Sequence, residues 1–128
     1  MNLRDRVLAY LYERKSATVE EIARALRKEK DYVQATLRVL ENEKLVRKTQ
    51  KGLIFKKTVY ELTPTGLEEA SNAYQKLKEK ANQLRNIILQ GNQVPQEFID
   101  LIPLMLTLSL IETALIQQIM LSDILNWM

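Results

Sequence analysis

The chain contains no cysteine and no histidine in 128 residues. That excludes disulfides, thiol nucleophiles, zinc sites built from Cys and His, and imidazole acid–base chemistry. Glycine is scarce: three residues, at 52, 66 and 91, lie too far apart to form a phosphate-cradling loop. Positive charge stops at Arg85, and the remaining residues carry none. A secretory signal is missing as well, since Arg4, Asp5 and Arg6 lead into a helical rather than a uniformly apolar run, so the expected compartment is the cytoplasm. The adjacent carboxylates Glu20–Glu21 and Glu68–Glu69 each fall at a predicted helix start, where acids complement the macrodipole. They read as capping groups, not as an acid–base pair. These absences leave no expected enzyme activity, cofactor or metal site.

What is present is an uneven distribution of charge. Residues 1–66 hold 15 Lys and Arg against nine Asp and Glu, whereas residues 67–128 hold four against seven. A basic half joined to an acidic, apolar half points to a polyanionic partner for the first.

The basic half divides into short elements. Leu3 to Arg14 is a predicted helix with Leu3, Val7, Ala9, Tyr10 and Leu11 along its apolar side. Ser16–Ala17 break that pattern. Thr18-Val19-Glu20-Glu21 has the form of a capping box, opening a second helix with Val19, Ile22, Ala23 and Leu26 buried. Lys28 to Lys30 form a turn, and Asp31 is the expected N-cap of a third helix ending near Glu43. In that helix Val33, Leu37 and Leu40 follow i, i+4, i+7 spacing, which leaves Tyr32, Gln34, Ala35 and Arg38 facing outward. A strand over Leu45–Thr49, a turn at Gln50–Gly52 and a return strand from Phe55 to Leu62 complete a hairpin. It carries Arg47, Lys48, Lys51, Lys56 and Lys57, a set of cations suited to phosphate contact.

Helix, helix and basic hairpin in this order form a winged helix-turn-helix, and residues 5–75 resemble the winged-helix domains of MarR-type and PadR-type regulators. The resemblance is carried by Val19-Glu20-Glu21-Ile22-Ala23, Val33 through Leu40, Glu43-Lys44-Leu45-Val46, and Tyr60-x-Leu62-Thr63-x-x-Gly66. It implies a fold that is mainly α with a small β-hairpin wing (α+β), with residues 31–43 as recognition helix and 47–57 as wing. It also implies double-stranded DNA as partner, with Tyr32, Gln34, Ala35 and Arg38 as candidates to read bases, since Gln suits adenine and Arg guanine. The chain departs from such relatives in two places. Ala35 and Val39 stand where basic residues are common, and Lys44 replaces a frequent glycine.

From Leu67 the period changes. Leu67, Ala70, Tyr74, Leu77, Ala81, Leu84 and Ile88 alternate steps of three and four, a heptad seam on a helix over 67–90. Gly91–Asn92 stop it, and a second apolar segment, a helix or broken helix over 96–127, follows. Residues 67–128 therefore read as a helical dimerisation region attached to a DNA-binding domain over 1–66. The expected interface residues are Leu77, Leu84, Ile88, Leu104, Leu108, Ile111, Leu115, Ile119 and Trp127. A membrane anchor through 98–128 is a rival reading. Asp100 and Glu112 leave only about eleven consecutive uncharged residues between them, where a span needs about 20. The leading expectation is a cytoplasmic homodimeric transcription regulator; a winged helix that binds protein instead of DNA is the other alternative. No effector pocket can be assigned from the sequence.

Overall fold

Five consecutive residues of α1 (Leu3–Arg14), Val7 through Leu11, are buried. Five in a row cover every face of a helix, so the one-sided stripe expected for this element is a helix surrounded by protein. The structure, a computed structural model, describes residues 1–119 and contains two compact units, Met1–Leu77 and the residues from Lys78 onward. The first unit therefore runs past residue 66, to Leu77.

In the first unit, α1 is followed by β1 (Ser16–Ala17), α2 (Val19–Leu26), α3 (Lys30–Asn42), β2 (Val46–Lys51), β3 (Lys57–Leu62) and the beginning of α4 (Pro64–Leu89). The three strands form one antiparallel sheet in the order β1-β3-β2. Ser16 and Ala17 pair with Glu61 and Tyr60 and so supply a third strand that the sequence pattern does not announce. Thr18 caps α2 as its capping-box spacing predicts, its hydroxyl accepting from the Glu21 amide at 3.1 Å. The start of α3 differs from expectation. Glu29, not Asp31, is the N-cap, its side chain makes no capping bond, and its carbonyl accepts from Tyr32 and Val33 instead. Asp31 lies within the first turn, where its charge still faces the positive helix end.

The far end of α3 shows why a glycine is common there. Lys44 takes φ +62°, its amide donates to Glu41 O at 2.9 Å, and the Leu45 amide donates to Leu40 O at 2.9 Å. This pairing reverses the chain through one left-handed residue. The motif after β3 has an equally direct cause. Thr63 Oγ1 donates to Lys44 O at 2.7 Å and accepts from the Gly66 amide at 3.0 Å, joining the end of α3 to the start of α4. A Cβ on Gly66 would sit 2.0 Å from Leu45 O, so only glycine admits α4 at this distance. Arg4 of α1 donates to Glu43, and to Glu69 at 2.9 Å, and the Tyr12 and Tyr74 rings pack 5.2 Å apart.

The second unit contains the end of α4, where Gly91 at φ +73° closes the helix, then α5 (Gln96–Ile99), α6 (Ile102–Thr107) and helical residues 113–119. Ala81, Leu84, Phe98, Leu101, Leu104, Met105, Leu108, Ile111 and Ile116 are buried. Arg85 grips Glu112 through two bonds of 3.1 Å and also donates to Leu110 O and Asn82. That contact holds the Glu112 carboxyl below the usual carboxylate range.

Burial revises the interface expectation. Leu77, Leu84, Leu104, Leu108 and Ile111 are covered by this chain's own residues, so they are core positions here. The apolar segment is a broken helix, one of the two forms expected for it, and its short pieces bury their apolar residues within the chain, whereas the expectation gave that burial to a second copy. Ile88, Leu115 and Ile119 are half-buried, and Trp127 lies outside the described residues. No described helix is long and apolar enough to cross a membrane.

Candidate nucleic-acid interface

Val33, Leu37 and Leu40 are fully buried and turn the opposite face of α3 outward, as their spacing requires. That outer face carries Tyr32 (64% exposed), Ala35, Arg38 and Val39. Gln34 behaves differently from the other base-reading candidates. It is half-buried, and its amide Nε2 donates to Tyr60 Oη at 2.7 Å, tying α3 to the sheet. Tyr60 is itself buried, so the bond fixes α3 at a set distance from the hairpin.

Between α2, α3 and the hairpin lies an open groove of about 860 Å³. Arg24, Lys30, Arg38, Lys48 and Lys57 line it, together with Glu20, Glu21 and Tyr60. Lys30 is committed in part: its Nζ lies 2.8 Å from Glu20 Oε1, and this hydrogen bond lowers the Glu20 carboxyl and raises the Lys30 amine. Both groups are exposed, so an incoming phosphate competes with Glu20 for Lys30 at little cost. Arg38, Lys48 and Lys57 have no ion-pair partner among the described residues. Arg24 and Lys30 were not among the sequence candidates; their positions on the outer side of α2 and at the start of α3 were the available signal.

The five hairpin cations do not act as one surface. Strand pairing runs Val46↔Leu62 through Lys51↔Lys57, so the two-residue period separates Arg47 and Lys51 from Lys48. Arg47 pairs with Glu61 at 2.8 Å, and Lys51 donates to Ser16 Oγ at 3.0 Å. Lys48 shares its face with Tyr60, whereas Lys57, the partner of Lys51, belongs to the other face; both residues still border the groove, Lys57 from the end of the ladder.

The hairpin loop is longer, and lies further along the chain, than the sequence pattern predicts. Gln50 and Lys51 are in β2, with Gln50 Nε2 donating to Thr58 Oγ1 at 3.1 Å, and β3 begins at Lys57. The loop is therefore 52–56 instead of 50–52. It places Leu53, Ile54 and Phe55 at the tip, where sequence reasoning had assigned Phe55 to the strand. Among the described residues no cluster of three carboxylates could hold a metal ion.

Comparison with known proteins agrees with this architecture. The model of a protein family described as replication-relaxation matches residues 8–93. A transcriptional regulator homologue from Pyrococcus horikoshii OT3 is similar in structure at a TM-score of 0.51 and 28% identity, over 64% of this chain and 82% of that one. The adhesin competence repressor (AdcR) from Streptococcus pyogenes is similar at a TM-score of 0.60 and 17% identity, over 84% of this chain and 78% of that one. No curated protein matches in sequence. The fold is a winged helix of the α+β class, as its order of elements predicted.

Proposed function

The chain belongs to the replication-relaxation family, and from that premise we propose that it binds double-stranded DNA as a homodimeric winged-helix regulator. The observation that carries this reading is the groove lined by Arg38 of α3 and by Lys48 and Lys57 of the hairpin, none of which has an ion-pair partner among the described residues. Following the MarR- and PadR-type resemblance, α3 enters the major groove and the hairpin lies along flanking phosphates. Arg38 is then the main base-reading side chain, with Tyr32 and Ala35 beside it. Gln34 acts chiefly by holding α3 against Tyr60.

A second reading concerns purpose and not partner. The family's description refers to replication and relaxation, whereas the structural neighbours are titled as transcriptional regulators. Both readings use duplex DNA. They differ in whether the bound site controls a promoter or an origin, and recovery of bound fragments from the host genome separates them.

Binding of the full chain to a mixed-sequence duplex, measured across a salt series, tests DNA as partner. Affinity should fall steeply with salt, and Lys48→Ala, Lys56→Ala and Lys57→Ala together should flatten that dependence by about one unit of slope per lost phosphate contact. On a selected site Arg38→Ala should cost roughly 1–3 kcal/mol, and much less on random DNA. If the triple variant changes neither affinity nor slope, the hairpin is not a DNA wing and a protein partner becomes the better reading.

A further inference from the structure

Leu53, Ile54 and Phe55 at the hairpin tip are 100%, 87% and 84% exposed. Large apolar side chains held together in water mark a contact surface. The loop that carries them is tightly closed: Gly52 takes φ +114°, and a Cβ there would lie 2.2 Å from the Phe55 carbonyl oxygen. Main chain packs on main chain, and the three side chains are left outside.

Charge indicates what the tip meets. Lys56 adjoins Phe55, and Lys51 and Lys57 face each other directly across the strands at the base of the loop. The Lys51 amine is turned to Ser16 Oγ at 3.0 Å, which leaves Lys56 and Lys57 as the cations beside the tip, both suited to a phosphate. An apolar tip between cations fits the DNA minor groove, which has phosphates along its edges and base steps at its floor.

We propose that the tip is a wedge: with α3 and the hairpin seated on duplex DNA, Leu53, Ile54 and Phe55 enter the minor groove, part a base step and kink the duplex. This rests on the DNA-binding reading above. The wedge also supplies selectivity that α3 has little means to provide, given Ala35 and Val39 on its outer face. Pyrimidine–purine steps unstack most readily, so sites with a TA step under the tip are favoured without any hydrogen bond to a base.

The test uses the full chain and two end-labelled duplexes of equal length, one with a central TA step and one with a central A-tract. Energy transfer between the ends reports bending. The variant combines Leu53→Ser, Ile54→Ser and Phe55→Ser, which removes no charge; Phe55→Ser alone serves if the triple variant fails to fold by circular dichroism. The wild-type chain should bend the TA duplex and prefer it. The variant should bind about tenfold more weakly with an unchanged salt slope and leave the duplex straight. Wild-type binding without bending, or equal bending by the variant, overturns the wedge and leaves the DNA reading intact. Failure of the wild type to bind either duplex overturns both. If the substitutions leave bending intact but abolish binding to phosphatidylserine vesicles, or self-association in sedimentation, the tip belongs to a lipid surface or a second copy and the proposal fails.

Discussion

Lys44 carries a left-handed backbone conformation without being glycine, and Lys15, Arg27 and Ser109 also have positive φ. Left-handed geometry costs a side-chain-bearing residue about 1–2 kcal/mol. Lys44→Gly should therefore raise stability by about 1 kcal/mol and the melting temperature by a few degrees. Denaturant unfolding should show a higher midpoint with the same slope; an unchanged or lower midpoint would mean that the lysine stem packs usefully on its surroundings. The MarR/PadR resemblance marked Lys44 as a departure from a frequent glycine, and the positive φ gives that departure a physical reason. What the sequence did not disclose was the fate of Gln34. It has the spacing of an outward residue, and only the fold brings Tyr60 within 2.7 Å of it.

Among the elements, legibility follows the range of the forces involved. The capping box at Thr18, the buried triplet of α3 and the Gly91 stop are set by residues within a turn of one another, and each is where its pattern puts it. β1 has two residues and no pattern of its own; it exists because β3 offers an edge. The hairpin loop was misplaced for a similar reason. Pairing of Gln50 with Thr58 and of Lys51 with Lys57 carries β2 through two residues whose neighbour Gly52 marks them as turn, and so moves the loop to 52–56. The caps provide a controlled comparison. Thr18→Ala should cost about 1 kcal/mol, as loss of a side-chain cap does, whereas Asp31→Asn should cost only a few tenths, since Asp31 caps nothing. Equal losses in urea unfolding would contradict this assignment of the two helix starts.

For the molecule as a whole, the division into a basic half and an apolar half was visible in composition, but the use of the apolar half was not. A strip of Leu and Ile looks the same whether its cover comes from the same chain or another, and here much of the cover is internal. The proposed dimer therefore depends on what stays outside: Leu89 and Ile99 are 65% and 40% exposed, and Ile88 is half-buried. Leu89→Glu should weaken self-association in sedimentation while the melting transition is preserved. Leu108→Glu should instead destabilise the fold by several kcal/mol, because it places an unpaired charge at a buried site. A wild-type chain that sediments as a monomer at micromolar concentration would rule out the dimer.

The contact at Gly66 constrains how this sequence can change over time. Most crowded positions can be repaired at a distance, because a bulky replacement is relieved when its neighbour becomes smaller. Here the neighbour is the carbonyl oxygen of residue 45, an atom that every amino acid brings with it. No substitution at 45 removes that atom, so no partner mutation there makes room for alanine at 66. The side chains at 45 and 66 are thus uncoupled as letters even though their backbones touch. A library randomised at both positions should return a varied apolar set at 45 and glycine alone at 66.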